Sequence, residues 1–186
     1  MRFNFFSKSG FLSACLLGSV LLITACGGKT EDPKPLHIPI KFPYNKTFTV
    51  DSSYLPGVQI FFEDTVNSTT RSEFKVLETV IDQLDTITIE KITVDMVTPN
   101  TTFDAYTSVN VIIAAEGLPT IEIARNNNLP RNATSVTLQV PRHDILAYIR
   151  KNNFYINVSG VSIVPTPVRL DMKAEMKFRA LARVGS

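Results

Sequence analysis

In the stretch PVRLDMKAEMKFRA, which starts at Pro167, every second residue is apolar. Val168, Leu170, Met172, Ala174, Met176 and Phe178 hold one parity, and Arg169, Asp171, Lys173, Glu175, Lys177 and Arg179 the other. Wound as a helix, both sets would spread around the whole circumference. Only a strand, with its period of two, separates them, so the segment is predicted to be a long strand with one face on a core and one in water. Alternating charge on the wet face also opposes aggregation.

Other segments carry the same period. VTLQV sets Val136, Leu138 and Val140 against Thr137 and Gln139, and FYINVS sets apart Phe154, Ile156 and Val158. SVNVIIAA, residues 108–115, is apolar on both faces and reads as an interior strand. TITIEKITVDM changes parity between Ile87/Ile89 and Ile92/Val94/Met96, which predicts a bulge or break near Glu90 and Lys91. Residues 47–50, 58–62 and 120–124 are shorter candidates. Thr70 and Glu73 have capping-box spacing, and Phe74, Leu77, Val80, Ile81 and Leu84 follow at helical spacing. They predict an amphipathic helix over about 71–84. A short helix over about 142–151 is expected after Pro141, with Ile145, Leu146 and Ile149 inward. The fold expected is mainly β, an antiparallel sandwich of about eight strands with these two helices. The strand sequence loosely resembles immunoglobulin-like modules and sandwiches of the late-embryogenesis-abundant type.

The chain opens with Arg2 and Lys8 and runs apolar from Phe11 to Ala25. This is the n-region and h-region pattern of an export signal. About 15 apolar residues fall short of the roughly 20 that a bilayer span needs. Ile23-Thr24-Ala25-Cys26 follows, and the segment resembles the lipobox of bacterial lipoproteins. The resemblance implies cleavage between Ala25 and Cys26 and diacylglyceryl lipidation of Cys26, with palmitate-type acylation of the new amine. Lipid chains contribute about 0.8 kcal/mol per buried methylene, so two or three anchor a protein durably. Cys15 lies within the removed segment and Cys26 is the acylated residue, so the mature chain is expected to form no disulfide. Gly27, rather than aspartate, follows the lipidated position, which favours the outer membrane. In Bacteroidota-type lipoproteins surface export goes with acidic residues close behind the cysteine. Glu31 and Asp32 come late, leaving periplasmic and surface faces both open.

Removal of residues 1–25 takes away Arg2 and Lys8 and no acid. The 19 basic residues become 17, against 17 acidic, so the mature chain is neutral and lacks the basic footprint of a nucleic-acid binder. GGKTEDPKPLH reads as a tether. The expected organisation is therefore signal peptide 1–25, lipidated cysteine and tether 26–37, with His37 solvated, and a single domain 38–186.

Chemistry-bearing patterns are sparse. His143 beside Asp144 in PRHDIL could be a base with its orienting acid, but adjacent helical residues do not face each other. They read instead as polar first-turn residues, with Asp144 favoured by the helix dipole. No G-x-S-x-G elbow, H-E-x-x-H helix, phosphate loop or calcium loop occurs, and no cofactor or metal is expected. Asn45, Asn67, Asn100, Asn132 and Asn157 lie in N-x-S/T patterns, which mean little behind a bacterial lipobox. Asp64-Thr65-Val66 and Asp85-Thr86-Ile87 resemble the O-glycosylation motif of Bacteroidota, which makes Thr65 and Thr86 modification candidates.

The function expected is non-catalytic: a membrane-anchored envelope lipoprotein that binds or scaffolds an envelope protein, polymer or lipid. Its expected contact is the loop RNNNLPRN, residues 125–132, with Arg125, Asn126, Asn127, Asn128 and Arg131. The alternative is a carrier of lipid or another apolar ligand, its cavity lined by phenylalanines such as those of QIFFE and by Met172 and Met176. A hydrolase with a site assembled only by the fold is the remote third reading.

Overall fold

The computed structural model describes residues 36–184, apart from 54, 69, 79 and 167. The lipobox, Cys26 and the expected tether up to residue 35 lie outside the described residues. Eight strands form two four-stranded sheets. They are β1 (Leu36–Val50), β2 (Gly57–Asn67), β3 (Leu84–Met96), β4 (Tyr106–Ala115), β5 (Ile121–Asn126), β6 (Ser135–Leu138), β7 (Asn153–Ser162) and β8 (Leu170–Val184). One sheet has the order β1-β8-β3-β6 and the other β2-β7-β4-β5, with antiparallel neighbours throughout. The expected antiparallel β-sandwich is what the chain forms.

The order has a simple origin. β1 pairs with β8, β2 with β7, β3 with β6 and β4 with β5. The chain is thus one long hairpin, folded at the β4–β5 turn and rolled up so that successive strand pairs fall in alternate sheets. The rolling adds the β8–β3 and β7–β4 pairings and yields a jelly roll. This differs from the immunoglobulin order, in which consecutive strands A and B share a sheet.

The parity of β8 is as expected: Leu170, Met172, Ala174, Met176, Phe178, Ala180 and Ala182 are buried. Val168 is a correction, because it precedes the strand and is exposed. The parity switch in β3 is a register shift between Ile89 and Lys91, where the bulge lets Ile87, Ile89, Ile92 and Val94 all face the core. β4 is interior to its sheet. β1 runs far beyond the expected 47–50 and carries Pro39 and Pro43, which an edge strand tolerates because no ladder amide is lost on its open side.

Both helices are shorter than the sequence predicts. α1 spans Lys75–Glu78 within the expected 71–84, and a 3-10 turn, Ile81–Gln83, leads into β3. The capping box is replaced: the Thr70 amide bonds Asn67 Oδ1, and Glu73 accepts from Ser72. Phe74 and Leu77 are nonetheless buried, and Leu84 is buried as the first residue of β3. α2 spans Leu146–Ile149 within the expected 142–151, with Ile145, Leu146 and Ile149 inward. In the core Phe42 stacks on Phe178 at 5.1 Å, and Phe74 meets Phe42, Phe154 and Phe178 edge-on.

Candidate functional site

Pairing Leu36 with Val184, Asn67 with Asn153 and Ala115 with Phe154 puts those positions at one end of the sandwich. At the opposite end lie four connections: 51–56, 97–105, 127–134 and 163–169. Among the described residues, twelve large aliphatic side chains are exposed, and eight of them belong to this far end. Val58 is 74 % exposed and Ile60 57 %, and Val58 pairs directly with the half-open Val161 on the outer face of the second sheet. Ile163 continues β7 past the sheet, and Leu55, Val164 and Val168 flank a backbone bridge between Ser53 and Thr166.

The two outer faces differ in charge. β8 sends Asp171, Lys173, Glu175, Lys177 and Arg179 outward on the first sheet, whereas β4 and β7 contain no charged residue at all. Outside the second sheet, Ser159 bonds Asn110 and Asn157 donates to Glu63 at 2.8 Å. This surface is uncharged along its centre and aliphatic at its far end.

Hydrogen bonds and ring packing support it from beneath. Gln59, beneath Val58 and Ile60, accepts from the Tyr106 hydroxyl at 2.9 Å and donates to Thr166 Oγ1 at 3.1 Å. Burial pushes the Tyr106 hydroxyl pKa above its ordinary value, so it remains a donor at neutral pH. Ser53 and Thr166 exchange amide bonds of 2.9 and 2.8 Å. Between Ile60 and Phe62 the strand bulges, and the Phe61 ring turns inward over Gly160 and packs edge-on against Tyr106 at 4.9 Å.

Part of the predicted contact loop, Asn127, Asn128 and Arg131, lies beside Ile163 of this surface. Arg125 and Asn126 belong to β5 rather than to a loop, Arg125 pairing with Glu122 at 3.6 Å. Asn126 Oδ1 accepts the Asn128 amide. Asn132, in the left-handed region with φ 57°, donates its amide to Asp104 Oδ1. Asn127, Leu129 and Arg131 line a cavity of about 220 Å³ together with Phe103, Tyr106 and Ile163. Ile163 thereby joins the predicted contact to the aliphatic surface. Sequence reading missed Val58 and Ile60, although VQIF shows the alternation that leaves one parity outward.

The other candidates have structural partners. Asp144 Oδ1 accepts the amides of Ile87 and Leu146, both at 3.0 Å, closing β3 and starting α2. His143 is exposed and hydrogen-bonds through its amide to Pro141. His37, expected in the tether, is the second residue of β1, and its Nε2 lies 2.6 Å from Asp85, which also holds Arg183. The Arg183 guanidinium, helped by His37, keeps the Asp85 carboxyl below its ordinary pKa against a smaller opposing effect of desolvation. Thr65 is exposed on β2, and Thr86 is half-buried on β3. No group of three metal-ligating side chains occurs among the described residues, and none of their helices is long and apolar enough to cross a membrane.

No family model matches the chain, and no curated protein matches it. Among solved structures, the chain is similar to that of Turnip Yellow Mosaic Virus at 100 K, with a TM-score of 0.32, 14% identity, and 82% of this chain and 98% of that one covered. For Desmodium yellow mottle tymovirus the TM-score is 0.25 and the identity 11%, over 97% and 98% of the two chains. At these scores the likeness carries no argument.

Proposed function

We propose that the protein is a membrane-anchored envelope lipoprotein whose domain binds or scaffolds a partner without catalysis. The observation that carries this reading is the concentration of exposed aliphatic residues, Val58, Ile60 and Ile163 foremost, at the end of the sandwich farthest from residue 36. The test has two parts. Cys26→Ser should move the protein from the membrane to the soluble fraction, and unchanged retention defeats the anchor. A photo-crosslinking residue at Ile163 should capture a discrete partner in intact cells while one at Lys177 does not; equal capture defeats the contact surface.

The lipid-carrier reading has less support. Phe61, Phe62, Met172 and Met176, which it would place around a ligand, are buried in side-chain packing. Phe62 stacks on Phe48 at 5.4 Å, and the aromatic contacts of Phe61 and Phe62 account for their burial without a ligand. Native mass spectrometry of the detergent-extracted protein distinguishes the two, since a stoichiometric lipid adduct beyond the anchor would favour the carrier.

A further inference from the structure

We infer that the stretch 57–60 of β2 pairs with the same stretch of a second copy of this chain, in antiparallel register about Gln59. The inference rests on the binding-module reading and names its partner.

The four edge strands are not alike. β1 carries Pro39, Lys41 and Pro43, β6 is four residues long, and β5 bears the Glu122–Arg125 pair and is bridged to Gln139. Proline, lysine and shortness are the devices by which an edge is kept from pairing with another chain. Residues 57–60 of β2 form a regular edge no longer than β6, but they carry neither proline nor lysine, belong to a strand of 11 residues and hold Val58 and Ile60 out to solvent. The bulge at Phe61 ends the regular edge, so a partner strand has only this stretch to meet.

A second copy fits by symmetry and by charge. An isologous interface must be complementary to itself, and a patch without charged side chains meets its own copy without repulsion. Centred on Gln59, antiparallel pairing places Val58 opposite the second copy's Ile60, so that both outward aliphatics close on each other. The Gln59 side chain is already held inside by Tyr106 and Thr166 and does not obstruct the pairing. With Leu55, Ile163, Val164 and Val168 alongside, the exposed aliphatic residues present on the order of 700 Å². That approaches the ~800 Å² per partner of a standard interface.

The experiment uses the full chain in its membrane. Two differently tagged chains, one carrying Val58→Cys and one Ile60→Cys, are co-expressed and oxidised mildly; opposed strand positions lie about 5 Å apart and suit a disulfide. A mixed-tag disulfide dimer, at least several-fold above that from Val58→Cys with Thr65→Cys, is expected. In detergent, light scattering should give twice the monomer mass for the wild type and for Val58→Lys/Ile60→Glu, whose new charges meet across the axis as opposites. Val58→Glu/Ile60→Glu should give the monomer. A monomeric wild type, or a dimer that survives Val58→Glu/Ile60→Glu, overturns the inference. A disulfide from the Val58→Cys chain to a different protein overturns it too, while leaving the binding-module reading in place.

Discussion

The Tyr44 hydroxyl donates to Asp64 Oδ2 at 2.8 Å, tying β1 of one sheet to β2 of the other. Tyr44 is fully buried. Asp64 also receives the Arg71 guanidinium and lies 3.5 Å from the Lys46 ammonium. Burial first, and the neighbouring carboxylate second, push the Tyr44 hydroxyl pKa above its ordinary value, so it donates throughout the neutral range. The contact joins the two sheets along the β1–β2 edge of the sandwich, within the strands rather than at the 51–56 connection. Tyr44→Phe removes a hydrogen bond to a charged group and should cost about 1.5 kcal/mol in denaturant unfolding. A loss below about 0.3 kcal/mol would show that Arg71 and Lys46 already satisfy Asp64.

Asp85 makes the stability of the fold depend on pH. Its folded pKa is lowered, with Arg183 the largest cause, so its contribution is full above the ordinary aspartate value of about 3.9 and is lost as pH falls through the lower folded value. Asp85→Asn should therefore lower the melting temperature both at pH 7 and at pH 5. The gap should close in more acidic solution. A gap that does not narrow at all under acid would assign the effect to packing instead.

Gly160 faces the Phe61 ring. A Cβ there would overlap Phe61 Cζ and lie 2.9 Å from the Ser108 carbonyl oxygen. Gly160→Ala should cost about 1–3 kcal/mol through overpacking. Phe61→Leu in the same chain should return part of that cost, because one of the two clashes goes with the ring. Strict additivity of the two changes in a double-mutant cycle would sink this account.

His143 and Asp144 separate cleanly as structural or catalytic. Asp144→Ala leaves the Ile87 and Leu146 amides without their acceptor and should cost about 2 kcal/mol. His143→Ala, at an exposed position, should change stability by less than about 0.5 kcal/mol. If the two substitutions instead abolished a hydrolytic activity together, the base-and-acid reading would return.

The strands were legible because period two survives in single residues. The charges of β8 alternate so regularly that no other element accommodates them, and the parity switch at Glu90 and Lys91 marks the bulge of β3. The segment 71–84 shows where that reading stops. Its apolar residues do turn inward, but Phe74 and Leu77 do so from a short turn of helix and Leu84 from a strand. Spacing alone does not distinguish a helix from a loop whose side chains drop into the same core. Val58 and Ile60 were hidden for a related reason: an exposed aliphatic residue and a buried one look the same until the sheet decides which face is covered.

Alternation along the chain determined that this protein is a two-sheet β-structure, because the period of a strand is a property of adjacent residues. What only the tertiary structure decided is that β1 lies beside β8, and that the loop at 127–134 shares one end with Val58, Ile60 and Ile163. Those relations join residues up to 148 positions apart, Leu36 with Val184. They arise from the way four antiparallel pairs roll over a common core, and no local pattern encodes that.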